Sequence, residues 1–178
     1  PPLQYWATAW LMQHTDDLEF ALRLPSYVCA IALLVVTGIL VGVLSPATPW
    51  AIPAAIALLA GAKTFAESAQ SALLDMGATL FVTVAMIACW LALRQPRWWY
   101  VVALVSGLAA LQKAPIPPLV VAAMVGFLYV TRKRHDIDVG PALRNRHFLV
   151  AALLTAALVA CWPALQWALH GTGALIEI

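Results

Sequence analysis

Charge is what this sequence has least of. Its 178 residues include ten lysines and arginines and eight acids, 10% of the chain, against 63% hydrophobic residues. A water-soluble domain of this length needs charge on its solvated helix faces, so the scarcity excludes one. The cations are also unevenly placed: Arg132, Lys133, Arg134, Arg144 and Arg146 fall in one short segment between two long apolar runs. Near-empty apolar stretches separated by a concentrated basic loop are the pattern of a polytopic membrane protein.

Other absences narrow the chemistry. The three cysteines, Cys29, Cys89 and Cys161, sit in different apolar runs without paired spacing. They read as buried packing residues, not as a disulfide framework or a zinc site. There is no glycine-rich phosphate loop, no H-E-x-x-H and no nucleophile elbow. The basic loop does not argue for nucleic acid, because its neighbours are spans. Topology and anionic lipid headgroups account for it. No signal peptide opens the chain, which begins at Pro1 and reads as an internal piece of a longer protein.

What is present is a series of apolar runs. Residues 26–44, 76–93 and 148–169 are long enough for a hydrocarbon core of ~30 Å, and 116–131 ends at Arg132. Residues 50–62 and 98–112 are apolar but shorter, and Trp98, Trp99 and Tyr100 suit an interfacial anchor. Residues 1–22 carry Asp16, Asp17 and Glu19 and read as an interfacial helix plus a loop. The expected fold is all-α: a polytopic membrane helix bundle of about six transmembrane helices, residues 1–178 forming part of one transmembrane domain.

Six spans sort the cations. Arg94, Arg97 and the five basic residues of 132–146 fall on one side, and Arg23, Lys63 and Lys113 on the other. The cation-rich side is the cytoplasmic one by the positive-inside rule. Asp16, Asp17, Glu19, Glu67, Asp75 and Glu177 then lie outside, and Asp136 and Asp138 inside.

The outer side is where polar chemistry concentrates. Lys63, Glu67, Ser71 and Asp75 are four apart, so one continuous helix would place them on a single stripe. A solvated helix with an ordinary Lys63–Glu67 pair explains the first two equally well. Asp75 stands at the lip of an uncharged run, where an ionisable group is costly and faces a cavity or a partner. Lys113 is a lone cation at the outer end of a span. It either snorkels to headgroups or holds a phosphate. His14 and His170 read as interfacial histidines.

Several segments in order resemble one family. Pro1-Pro2-Leu3-Gln4-Tyr5-Trp6 is similar to the "PPLYYW" stretch that follows the first large outer loop of polyprenyl-phosphate-dependent membrane glycosyltransferases of the GT-C type. These include lipid A aminoarabinose transferases and protein O-mannosyltransferases. Arg23-Leu24-Pro25-Ser26 resembles their "RLPS", Ala72-Leu73-Leu74-Asp75 the stretch closing on an aspartate, and Leu111-Gln112-Lys113-Ala114-Pro115 their "LTKGP". Trp162-Pro163 with Gly171 is similar to the segment before the second outer loop. Gln112 and Ala114 depart from the usual threonine and glycine, and Pro117-Pro118 bends that region differently.

The resemblance implies a sugar donor linked through phosphate to a polyprenyl chain, and an acceptor lipid or protein on the outer face of a bacterial inner membrane. It places Asp75 as the catalytic residue of this piece, with Lys113, Arg23 and Glu67 binding substrate, and leaves open a divalent metal ion beside Asp75. Membrane lipids are the other implied partner, and nucleic acid is not one. The family's principal acids lie upstream and further ligand residues downstream, so the fragment alone is expected to be inactive. The competing reading is a transporter or a non-catalytic membrane scaffold. Against it, no internal repeat is evident and the charges cluster at one face rather than at mid-bilayer.

Overall fold

A computed structural model describes residues 2–71, 74–113, 116–131 and 139–170. Arg132, Lys133, Arg134, Asp136, Asp138, Gly171 and Glu177, and with them much of the expected basic loop, lie outside the described residues. The fold is all-α: α1 (Pro2–Met12), α2 (Leu18–Leu44), α3 (Ala51–Gly61), α4 (Lys63–Gln70), α5 (Asp75–Ala92), α6 (Trp98–Lys113), α7 (Ile116–Thr131), α8 (Val139–Arg144) and α9 (Arg146–His170). Among the described residues three helices are long and apolar enough to cross a bilayer: α2, α5 and the Arg146–Leu169 part of α9.

The remaining expected spans are shorter. α6 and α7 have 16 residues each, or ~24 Å at 1.5 Å per residue, and α3 has only 11, or ~16 Å. α3 does not act alone. Its Ile52 and Ile56 pack beside Gly38 of α2, while Gln70 and Ser71 at the end of α4 return to Leu18 and Leu22 at the start of α2. The two short helices therefore retrace α2 between them, joined at Ala62, whose backbone is extended (φ −71°, ψ 124°).

The start of α2 also differs from the sequence expectation. Residues 18–25 are helical and continuous with the span, not part of a loop. Asp17 caps the helix, its carboxylate accepting from the Phe20 N–H at 3.0 Å, and Glu19 sits in the first turn, where a helix favours negative charge.

Small residues hold the bundle together. Ala85, Ala88, Cys89 and Ala92 form a buried stripe on α5 facing Val102 and Ala103 of α6. Without bulky side chains between them the backbones approach closely, which is how membrane helices gain packing energy in a solvent as apolar as their own surfaces. One turn on from Ala103, Gly107 meets α9: a Cβ there would lie 2.5 Å from Leu158 Cδ1. A second cluster, Ala30, Leu33, Ala69 and Met76, joins α2, α4 and α5. Outside these contacts the helices are apolar, as with Ile31, Val35 and Ile39 on α2 and Leu149 and Leu153 on α9, all exposed. In water such a surface would drive aggregation; in hydrocarbon it is the lipid-facing belt.

Trp99 departs from its expected role as an interfacial anchor. It is 2% exposed and packs edge-on against Phe148 of α9, ring centroids 4.9 Å apart. Tyr100 beside it meets His147, its hydroxyl 2.8 Å from Nδ1. The aromatic start of α6 therefore fastens it to the start of α9.

Candidate functional site

Asp75 is the first residue of α5 and Lys113 the last of α6, and the antiparallel packing of these helices brings the two together. The Lys113 ammonium is ion-paired with the Asp75 carboxylate. Each charge also complements its own helix: an acid at the N-terminus and a cation at the C-terminus are each favourable by ~0.3–1 kcal/mol. Both side chains remain a little over 40% exposed, so the pair stands at a mouth and is not sealed in the core.

That mouth opens into a cavity of about 300 Å³ lined by Asp75, Ala78, Thr79, Val82, Lys113, Pro117 and Val120. Its upper rim carries both charges, and its lower wall is aliphatic. The Thr79 hydroxyl donates to the Asp75 carbonyl oxygen at 2.8 Å, so it is occupied along the helix. A phosphate attached to a long apolar chain matches such a gradient, head at the ammonium and chain along the aliphatic wall.

Behind the pair lies a buried amide clamp. Gln112 Nε2 donates to Gln4 Oε1 at 2.8 Å, and more weakly to the Leu74 carbonyl oxygen at 3.5 Å. Both glutamines are less than 10% exposed. Gly77 makes room for them, since a Cβ there would lie 2.5 Å from Gln112 Nε2. The clamp therefore ties α1 to the two residues that flank the ion pair in sequence, Leu74 and Gln112. Sequence reading treated Gln112 only as a departure from a motif; its structural role was missed.

The expected stripe of Lys63, Glu67, Ser71 and Asp75 does not form. α4 ends at Gln70, and Ser71 turns to extended backbone (ψ 146°) with its hydroxyl donating to the Glu67 carbonyl oxygen at 2.6 Å. Asp75 consequently belongs to the next helix. Glu67 pairs with Lys63 at 3.6 Å on an open surface and does not line the Asp75–Lys113 cavity. Arg23 pairs with Glu19 at 2.9 Å and lines a separate cleft of about 530 Å³ with Leu18, Leu22, Gln70 and Ser71. Two of the four expected site residues are thus brought together and two are not.

His14 closes α1, its Nδ1 lying 2.8 Å from the Trp10 carbonyl oxygen, and takes no part in the cavity. The His170 side chain lies outside the described residues. Among the described residues no group of three His, Cys, Asp or Glu side chains comes together. Asp75 is the cavity's one carboxylate among them and is engaged by an ammonium, so this donor set does not by itself fit a divalent cation.

The chain belongs to the dolichyl-phosphate-mannose-protein mannosyltransferase family, whose profile matches residues 1–167. The family is one of GT-C membrane glycosyltransferases and implies a lipid-linked sugar donor, and the apolar helices of this chain fit an integral membrane protein. No curated protein and no solved structure matches it significantly. The family decides between the two functional readings of the sequence in favour of the transferase.

Proposed function

We propose that the full-length protein transfers a sugar from a polyprenyl-phosphate carrier to an acceptor hydroxyl or phosphate at the extracytoplasmic face of a bacterial inner membrane. Residues 1–178 form part of its single transmembrane domain. The observation that carries this reading is the Asp75–Lys113 pair at the rim of a cavity whose depth is aliphatic.

In the transfer, an acceptor oxygen attacks the anomeric carbon while the bond from that carbon to the phosphate oxygen breaks. The polyprenyl phosphate leaves with the electron pair, and the acceptor's proton passes to a carboxylate base. Lys113 neutralises the charge that grows on the leaving phosphate. Such a contact strengthens as the bond breaks and so favours the transition state over the bound donor. Asp75 holds the ammonium in position in the empty cavity and orients the acceptor when donor phosphate takes its place.

Arg23, in the neighbouring cleft, anchors the chain end at the headgroup level and meets the carrier or acceptor from the side. Glu67, one turn before Ser71 but outside the lining of that cleft, meets substrate from the outer side in this reading.

The test is sugar transfer from a radiolabelled polyprenyl-phosphate donor pool by the full-length protein in membranes. Asp75→Asn and Lys113→Met are compared with wild type at equal expression. Loss of transfer in both, with insertion and folding intact, supports the reading. Wild-type transfer in both removes these residues from the donor site.

A further inference from the structure

A second cavity runs along the bundle, from Pro118 and Pro163 toward the Lys113 end to Trp99 and Phe148 at the other. α7 and α9 both pack on α6 but scarcely touch each other, and the gap between them is a groove of about 990 Å³. Its walls are aliphatic, among them Leu119, Val125, Ala152, Ala156 and Val159. Along α9 the lining runs from Phe148 to Pro163, ~22 Å of helix and so most of a hydrocarbon core of ~30 Å.

Two polar atoms in this wall have no hydrogen-bond partner among the described residues: Trp99 Nε1 and Ser106 Oγ, each on a residue only 2% exposed. They are not equivalent. A serine hydroxyl rotates and can fall back on the carbonyl of the preceding helical turn. An indole N–H is fixed in the plane of its ring and needs an acceptor brought to it. Trp99 is the second residue of α6, so that acceptor belongs near the membrane boundary.

Cations surround this same end. Arg97 precedes Trp99 by two residues, Arg144 follows the groove residue Leu143, and Arg146 precedes the groove residue Phe148 by two. All three are exposed, and among the described residues none is ion-paired. An apolar trench, a fixed and enclosed N–H donor in its wall and, at the same end of the bundle, exposed guanidinium groups unpaired among the described residues together fit an amphiphile with an anionic head.

We propose that the α7–α9 groove binds one anionic glycerophospholipid from the leaflet at the arginine end. An acyl chain lies along α6 between α7 and α9. An ester or phosphate oxygen accepts from Trp99 Nε1–H, and Arg97, Arg144 and Arg146 surround the phosphodiester. This site is distinct from the donor cavity, whose single cation, Lys113, stands at the other end of α6. The lipid would fill the gap and brace α7, which carries Pro117 and Val120 of the donor cavity, against α9.

The test uses the full-length protein in phosphatidylcholine nanodiscs doped with a diazirine-acyl probe, either phosphatidylglycerol or phosphatidylcholine, with cross-links mapped by mass spectrometry. The expected result is phosphatidylglycerol labelling centred on α9 between Ala152 and Val159. That labelling should fall roughly fivefold or more when Arg144 and Arg146 are both changed to Gln, the loss of about one surface-charge contact or more. Trp99→Phe, which keeps the ring and removes the N–H, should also lower it. Ala156→Trp should abolish it while leaving labelling at the exposed α2 face unchanged, which shows that the variant is folded.

Equal labelling by the two probes would make the groove ordinary lipid annulus and overturn the proposal. So would labelling insensitive to the arginines but competed by a polyprenyl phosphate, which would assign the groove to the carrier. Absence of labelling, with another part of the protein or a second copy covering the groove, would overturn it as well.

Discussion

Gln112 donates from Nε2 to Oε1 of Gln4 across 2.8 Å, joining two residues 108 apart in sequence. This bond ties the first helix to the end of the bundle that carries the Asp75–Lys113 pair, beside the edge-on contact of Trp6 with Trp162. Its setting is buried, so each amide depends on the other for satisfaction.

Removing one partner should therefore cost more than removing both. Gln4→Leu or Gln112→Leu alone is expected to lower stability by about 1–3 kcal/mol, the penalty of one stranded buried amide. The double variant should recover most of that loss. Thermal unfolding of the detergent-solubilised full-length protein, run as a double-mutant cycle, measures the coupling directly.

Gly77→Ala should act through the same clamp. The added methyl needs the space that the Gln112 amide fills, so the amide must leave Gln4. A destabilisation comparable to Gln112→Leu is expected, and adding Gly77→Ala to the Gln4→Leu/Gln112→Leu background should cost less than it does alone. Equal costs in both backgrounds would show that the methyl is accommodated elsewhere.

Gly107→Ala tests the contact of α6 with α9. The new Cβ would lie 2.5 Å from Leu158 Cδ1 and 2.7 Å from its Cβ, too close for a rotamer change alone to clear. Overpacking of this kind costs about 1–3 kcal/mol. Leu158→Ala in the same chain should recover part of it, measured as the shift in midpoint of thermal unfolding in detergent.

Lys63→Met should do almost nothing to stability. Its partner Glu67 is 3.6 Å away and the lysine side chain is 87% exposed. Exposed pairs of this kind are worth about 0–1 kcal/mol and fade with salt. A stability loss that persists at high salt would mean that the pair is shielded by a neighbour outside the described residues.

Asp17→Ala removes the cap at the head of α2, where a lost side-chain acceptor costs about 0.5–2 kcal/mol. Fraying there would also loosen Glu19 and Arg23. Hydrogen exchange should accordingly rise in the first turns of α2 and leave its centre, around Leu33, unchanged.

How much of this was legible beforehand follows the range of each signal. Apolar runs gave the helical membrane bundle, and span ends plus a family resemblance singled out Asp75 and Lys113, which the structure brings into one ion pair; those signals are carried by residues close in sequence. The stripe from Lys63 to Asp75 failed because arithmetic in steps of four assumes an unbroken helix. That helix ends at Gln70, where the backbone of Ser71 turns extended (ψ 146°), so Asp75 starts a new helix with a phase of its own. The early start of α2 was signalled by Asp17 and Glu19, an N-cap followed by an acid in the first turn, and was passed over in favour of a loop. The Gln4–Gln112 clamp and the burial of Trp99 left no local trace. Each depends on which helices become neighbours, and no periodicity within one helix reports that.

The cations of the two ends differ in a way that reaches beyond the site. Arg23, Lys63 and Lys113 each face a carboxylate, whereas Arg94, Arg97, Arg144 and Arg146 have no ionic partner among the described residues. To an electric field across the membrane the first end is net acidic, Asp16 and Asp17 standing beyond its three pairs, and the second is net basic. Carrying a single unit charge through 100 mV involves ~2.3 kcal/mol. The voltage of an energised cell therefore acts on both ends in the same sense, holding the arginine end toward the negative side and the acidic end toward the positive. The ion pair at the opposite end can meanwhile open and close around a phosphate with little work done against the field.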